Sequence, residues 1–560
     1  MKGIFTGFLL LVFGLGASAQ AGIKGVVTGN GQVLQGATIA VNKKGAAVAD
    51  TAGRFSVLNL PAGKHNLQVS MTGFETEYKT VVLKDSSITE LAIELQPSTS
   101  SLDAVVVSGT MKQVRRLESP IAVEVYSHQF FKKNPSPSVF ESLSMVNGVR
   151  PQINCNVCNT GDIHINGLEG PYTMVTIDGM PIVSSLSSVY GLFGIPSQMI
   201  ERVEVVKGPA SGLYGSEAIG GLINIITKSP QKAPLFSANI MSTSWREHLV
   251  DLGVKWKVGP AISSMLGVNY FNYGNPVDNN GDNFTDVTLQ HRISVFNKWN
   301  LQRKKNRVAS LAGRYFYEDR WGGEMQWSKR FRGGNQLYGE SIYTKRWELI
   351  GNYQLPVQQN MFFSFSATGH NQDSYYGTTP YFAQQNILFG QLTWDKTKGA
   401  QSMLLGLAGR YNYYDDNSTA TADTLAKLNK PDKVFLPGIF LQDEWRINNA
   451  HRLLVGLRYD YHPAHKSIFT PRIAYKWSVN DGEALRLNAG TGFRVVNLFT
   501  EEHAALTGTR AVEVREKLSP EKSYNVNINY NKRLGNRSRA ASLDVSAWYT
   551  YFHNQIIPDY

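Results

Sequence analysis

The two cysteines of the chain, Cys155 and Cys158, stand close together in "NCNVCNTGDIHING", and Asp162 and His164 follow at alternate positions of a segment that reads as a strand. Alternate strand residues share a face, so this carboxylate and imidazole project together. Three chemistries suit such a group. An oxidising compartment makes a short-loop disulfide the default for Cys155 and Cys158. A ligand-side role is the rival, with the four residues holding a metal or a chelate, although zinc sites ordinarily show a second cysteine pair or several histidines. A thioredoxin-like redox pair would need a helix start that the sequence does not offer. A second group lies in "RYFYEDRWGGEMQWSKRFRGGNQLYGESIYTKRW", where Trp321, Trp327 and Tyr338 stand among Arg320, Arg330 and Arg332. Cation-π and ionic contacts there could hold an anionic, partly aromatic solute; the same residues also suit an ordinary loop with aromatic side chains at its base. The sequence offers no paired carboxylates, Ser/His/Asp set or histidine cluster. "GPASGLYG" is not a G-x-S-x-G elbow, and no G-x-x-x-x-G-K-[ST] phosphate loop occurs. The chain therefore does not read as an enzyme, and neither a cofactor nor a resident metal is implied.

These residues need elements to carry them. Charged residues are 18% of the chain and aromatics 11%, a balance that suits strands and interfaces. The formal net charge of +12 is spread between strands instead of forming the tract that nucleic acid would require. "MKGIFTGFLLLVFGLGASAQ" has Lys2, an apolar run over residues 4–15 and a small-residue site at Ala17, Ser18 and Ala19, the layout of a cleaved export signal over residues 1–19. A spanning helix needs about 20 apolar residues, which neither this stretch nor any later one supplies. An exported chain of this kind is periplasmic, extracellular, or inserted as a β-barrel.

Four regions follow the signal. Residues 20–96 alternate short strands with turns at Asn30-Gly31, Ala52-Gly53 and Pro61-Ala62-Gly63, which predicts a small β-sandwich. Residues 97–112 form a Pro/Ser/Thr linker interrupted by Val105, Val106 and Val107. That run suits either the first strand of the next domain or an extended segment on a flexible tether, ready to add to a partner's sheet edge. Residues 113–229 contain "RVEVVKGPASGLYGSEAIGGLINIITK". There Val203, Val205, Ile223 and Ile225 mark strand faces at period two, and Gly208, Gly212, Gly215, Gly220 and Gly221 are expected to turn the backbone at positive φ and to let backbones approach closely. From residue 230 to 560 strands of alternating character recur. In "HRLLVGLRYDYHP", Leu453, Val455, Leu457, Tyr459 and Tyr461 alternate with Arg452, Gly456, Arg458 and Asp460; "EALRLNAGTGF" and "YNVNINYNKRL" repeat the pattern. Apolar toward lipid and polar toward a lumen is the pattern of a transmembrane antiparallel β-barrel.

The motifs in "DTAGRFSVLNLPAG", "GDIHINGLEGPYTMVTIDGMPI" and "IERVEVVKGPASGLYGSEAIGGLINIITK", with "FLQDEWRI" and "GTGFRVVNLF" further on, resemble TonB-dependent outer-membrane receptors and transporters of the Bacteroidetes type. The resemblance implies, in order, a carboxypeptidase regulatory-like β-sandwich, a TonB box, an α+β plug and a barrel in the outer membrane. By position the box is Asp103, Ala104, Val105, Val106, Val107, Ser108 and Gly109, and the plug motif includes Arg202, Gly208, Gly215, Gly220 and Gly221. It further implies partnership with TonB and the inner-membrane ExbB/ExbD complex, contact with outer-membrane lipid, and import of a scarce extracellular small molecule such as a ferric siderophore, haem, cobalamin or similar metal chelate. A SusC-like glycan importer is the alternative, with a passive porin or an adhesin behind it. The family barrel has about 22 strands, whereas residues 230–560 supply about 15 to 17 at ordinary strand and turn lengths. With Pro558 near its end, the sequence is expected to be a C-terminally truncated record.

Overall fold

The computed structural model describes residues 21–557, apart from 30–31, 43, 72–73, 75–76, 85–86, 96–103, 156–158, 183–185, 187–190, 424–427, 481, 498–517 and 535–540. The export signal, Asp103, Cys158 and Pro558 lie outside the described residues. The chain divides into two compact units, Met1–Val105 and Val106–Tyr560.

The first unit holds two small sheets. In one, Gly22–Gly29 pairs with Gln32–Val33, Arg54–Leu58 and Ile88–Glu94; the other runs Lys44–Val48, Thr38–Val41, Gly63–Ser70, Glu77–Leu83. Period-two burial closes the unit around one core: Phe55 and Val57 face inward while Arg54, Ser56 and Leu58 face out, and they join Ile23, Val27, Ile39, Leu67 and Val69. The turn before Arg54 is built by Asp50, whose Oδ1 accepts from the N–H groups of Ala52 and Arg54 at 2.8 Å each. This is the expected sandwich.

The second unit nests one sheet system within another. Its inner part has a five-stranded sheet in the order Glu124–Ser127, Ile200–Lys207, Gly221–Thr227, Thr173–Ile177, Met180–Pro181, beside a hairpin of Val149–Cys155 and Thr160–Ile165. Val203, Val205, Ile223, Ile225, Val175 and Ile177 bury one face in a common core. The outer part is a 15-stranded antiparallel sheet running from Phe236–Ser242 to Ala541–Asn554, each strand paired with its neighbour. Among the described residues these two terminal strands do not pair with one another.

The outer sheet is inside-out compared with a soluble protein. In His451–His462, Arg458 and Asp460 are buried while Val455, Leu457 and Tyr461 are exposed. In Glu521–Leu534, Ser523, Asn525, Asn527, Asn529 and Asn531 point inward, and Tyr524, Val526 and Ile528 point out. So extended an apolar exterior suits hydrocarbon and not water. No helix among the described residues is long and apolar enough to cross a membrane.

Candidate functional site

The motif quoted above folds as strand Ile200–Lys207, a short helix Ser211–Tyr214, and returning strand Gly221–Thr227. The loop closes on itself: Gly208 N–H donates to Gly220 O and Ala210 N–H to Ala218 O, both at 3.0 Å. Gly215, at φ +84°, ends the helix in a conformation that side chains disfavour. Gly221 leaves room for the partner strand, since a Cβ there would meet Val206 O at 2.3 Å. The expectation of positive φ needs correcting for Gly212 and Gly220, which are absent from the positive-φ glycines. Gly212 lies within the helix, against Arg472 and Thr470, and Gly220 is packed against Leu168 and Tyr172. Close approach, not a turn, is what these two positions require.

Of the segment 103–109, Val106 is fully buried in a second core with Ile121, Val123, Val206 and Leu222. Val107 N–H and Ser108 N–H each donate to Glu204 Oε2 at 3.0 Å, and Ser108 Oγ donates to the same oxygen at 2.6 Å. Tyr214 OH donates to Ser108 O at 3.1 Å. Residues 106–109 are therefore docked on the inner domain and not held out on a tether. The carboxylate that receives them is itself buried, with Arg202 on its other oxygen at 2.8–2.9 Å.

A set of wall arginines, of which the sequence singled out Arg320 and Arg458 but not for this role, grips the inner domain. Arg292 donates to Pro137 O at 3.0 Å, Arg320 to Asn159 O at 2.7 Å, Arg458 to Leu213 O at 3.0 Å, Arg472 to Gly109 O at 3.2 Å and Arg486 to Ser119 O at 2.9 Å. Arg314 reaches Gly191 O and Phe193 O, and Arg346 reaches Ile182 O. Several are balanced on the wall itself by acids two residues along the same inward face, as Arg458 is by Asp460 at 2.7 Å and Arg346 by Glu348 at 2.6 Å. Lys112 adds an ion pair with Asp395 at 2.6 Å and Arg116 one with Asp544 at 2.9 Å. Alternation shows that these arginines face inward, but these inner-domain partners lie between 121 and 367 residues away in sequence.

The residues first singled out for chemistry are scattered. Cys155 ends the strand Val149–Cys155, opposite Thr160, and its pairing with Cys158 lies outside the described residues. His164 Nε2 meets Asp162 Oδ1 at 2.9 Å, and this hydrogen bond holds the imidazole pKa above its ordinary value. No group of three or more His, Cys, Asp or Glu among the described residues could hold a metal ion. In the aromatic segment, Trp327 is buried with its ring 4.8 Å from that of Trp321. The Arg332 guanidinium lies 4.3 Å from the Tyr343 ring and 4.5 Å from that of Tyr375, and pairs with Asp373 at 2.7 Å. Arg330 lies over Phe331, and Tyr338 OH donates to Glu340 at 2.7 Å. Trp327, Arg330 and Arg332 thus find partners in the same segment or at the strand ends beside it, whereas the Tyr338 ring also lies 6.2 Å from that of Phe284 and Arg320 reaches Asn159 O of the inner domain. At the same rim, Asn371, Gln372, Gln384, Asp415, Asp416 and Asn429 help to line a cavity of about 600 Å³.

Three family models match the chain: a CarboxypepD_reg-like domain over residues 23–107, a TonB-dependent receptor plug domain over 115–222, and a TonB-dependent receptor-like β-barrel over 255–560. An iron-regulated outer membrane virulence protein of Vibrio cholerae is 25% identical over 483 residues, which cover 82% of this chain and 69% of the relative. The vitamin B12 transporter BtuB of the same organism is 24% identical over 306 residues, 53% of this chain and 48% of that one. Among solved structures, the ferric enterobactin receptor PfeA of Pseudomonas aeruginosa superposes with a TM-score of 0.60 at 14% identity, covering 81% of this chain and 74% of that one. The siderophore receptor PirA of Pseudomonas aeruginosa gives 0.55 at 18%, covering 77% and 74%. These superpositions bear on fold alone. With a regulatory-like domain, a plug and an inside-out barrel in this order, the chain belongs to the TonB-dependent outer-membrane receptor family, whose members are receptors and transporters.

Proposed function

We propose that this protein imports a scarce metal chelate, of the ferric siderophore, haem or cobalamin class, across the outer membrane, energised by TonB and the inner-membrane ExbB/ExbD complex. The observation that carries the reading is the seating of the plug, hydrogen-bonded to the inner wall through its own main-chain carbonyls, so that nothing large crosses unless the plug rearranges. The choice of metal chelate over glycan is supported by relatives named for iron regulation, vitamin B12 and ferric enterobactin. On this reading residues 1–19 are an export signal, 20–96 the regulatory-like domain, 97–112 the linker with the TonB box, 113–229 the plug and 230–560 barrel. The box, residues 103–109, pairs its main chain with a strand of TonB, and a pull through it moves the plug.

Deletion of residues 103–109 tests the coupling. Uptake is lost while ligand binding at the cell surface persists; uptake unchanged by the deletion defeats the reading. Calorimetric titration of the protein with ferric siderophores, haem, cobalamin and oligosaccharides separates the substrate classes, and saturable binding of oligosaccharides alone would replace the metal chelate with a glycan.

A further inference from the structure

One rung crosses the whole plug sheet. Register places Val125 opposite Glu204, Glu204 opposite Asn224, Asn224 opposite Thr176 and Thr176 opposite Pro181. Glu204, Asn224 and Thr176 are fully buried polar residues among apolar neighbours, on the face covered by residues 106–123. Their bonds form a chain. Asn224 Nδ2 donates to Ser108 Oγ at 2.9 Å, and its Oδ1 accepts from Thr176 Oγ and from Gly179 N–H, each at 2.9 Å. Pro181 O, at the end of the rung, accepts from Ser366 of the barrel wall at 2.9 Å.

Strand addition consumes main-chain N–H groups of the added segment. In residues 106–109 two of them, those of Val107 and Ser108, are already committed to a carboxylate. An ionised carboxylate only accepts, and bonds to it are stronger than those between neutral groups.

Resting on the reading of residues 103–109 as the segment TonB pairs with, we propose that Glu204, braced by Arg202 and Asn224, is a positioning residue that competes with TonB for the main chain of Val107 and Ser108. The partner's strand gains these donors only in molecules where Glu204 has released them. Asn224 joins this competition to the loop at Gly179, because one amide serves Ser108 and that loop together.

The substitution Glu204→Gln weakens the competitor without changing its size. Whichever way the amide is turned, its NH₂ faces donors, either the Arg202 guanidinium or the N–H groups of Val107 and Ser108. Ser108→Ala removes the hydroxyl bonds to Glu204 and Asn224 while leaving the sheet intact.

The test titrates the detergent-solubilised full chain, without extracellular ligand, with the periplasmic domain of TonB. Synthetic peptides of residues 103–110, with Ser and with Ala at position 108, serve as controls for intrinsic affinity. An apparent affinity scales with the competent fraction, so both full-chain variants bind TonB at least about 10-fold more tightly than the parent while the two peptides bind alike. In the parent chain, hydrogen exchange at Val107 and Ser108 is slow before TonB is added. Peptides that bind, with full-chain affinities equal across parent and variants, overturn the proposal alone. Peptides that do not bind overturn the reading of residues 103–109, and the proposal with it. If Glu204→Gln fails to fold, Ser108→Ala and the exchange of Val107 and Ser108 in the parent chain decide.

Discussion

Glu348 is the place where one substitution tests how the wall holds the plug. Its Oε1 accepts from Arg314 Nη2 at 2.8 Å and from Arg346 Nε at 2.6 Å, and all three side chains are almost fully buried. The same two arginines donate to the carbonyls of Gly191, Phe193 and Ile182, so one carboxylate organises the grip on both ends of the stretch 182–193. Glu348→Ala leaves two buried cations with no anion between them, and breaking a buried pair in this way costs about 3–5 kcal/mol. That loss falls first on the attachment of this stretch, because the core residues Leu192, Phe193 and Ile195 keep their apolar contacts. At about 1.4 kcal/mol per factor of ten, a local opening favoured by 3 kcal/mol speeds amide exchange roughly 100-fold. Hydrogen–deuterium exchange of the detergent-solubilised chain, followed by mass spectrometry on peptides spanning 182–195, reads this directly, with peptides from 324–338 as an internal reference. Exchange over 182–195 unchanged from the parent, in a variant with the parent's β-sheet circular dichroism, refutes the claim that these arginines hold the stretch through Glu348.

Further outcomes follow from single sites. Gly215→Ala forces a side chain into φ +84° with its Cβ 3.2 Å from Arg458 Nη2, at a cost of about 1–3 kcal/mol, and lowers the melting temperature of the plug. The pKa of His164 is raised in the fold chiefly by its hydrogen bond to Asp162, so the stability it contributes is complete below the unfolded value of about 6.5 and is lost as pH rises through the folded value. Asp162→Asn brings the imidazole back toward its ordinary pKa, as histidine C2-proton exchange against pH will register. Arg332→Ala removes a guanidinium held by Tyr343, Tyr375 and Asp373 and exposes residues 324–338 to faster proteolysis, with the barrel's resistance to protease unchanged.

Much of the fold was legible because strand periodicity reports directly on which face is wet. His451–His462 and Glu521–Leu534 alternate as their sequences do, and the 15 strands of the outer sheet among the described residues fall within the number that strand length predicts. The loop after Lys207 was legible as a close approach of backbones, though Gly212 and Gly220 serve packing where positive φ was expected. Glu204 was not legible as a buried anchor. In "RVEVVK" alternation marks Val203 and Val205 as one strand face and leaves Glu204 on the other, and its burial arises because residues 106–123 return over that face. A weaker sequence signal was present: Glu204, Asn224 and Thr176 are each a single polar residue within an apolar run, and three such interruptions on paired strands fall on one rung. In the aromatic segment residue type left a ligand grip and an ordinary loop both open; Trp327 and Arg332 are engaged by neighbouring parts of the chain, partners that residue type alone does not specify.

The kind of contact between plug and wall bears on whether the plug can move at all. Apolar burial would hold it by about 25 cal/mol for every Å² removed from water, a penalty recovered only when the two surfaces meet again. Two kinds of contact span the gap here: wall residues such as Met265, Phe316 and Phe440 share apolar cores with the plug, and arginines of the wall donate to its carbonyls, from Pro137 to Leu213, where a hydrogen bond to a charged group is worth about 1.5–3 kcal/mol net. The arginines therefore fix the plug's position through directional bonds that water can take over as the plug shifts, whereas the shared apolar surface must be exposed. Val203, Val205, Ile223 and Ile225 of the plug sheet lie in one of these cores. On the proposed reading, a pull arriving at residues 106–109 meets Glu204 before it meets that core, and the strand Glu124–Ser127, which among the described residues is paired on one side only, is next in line.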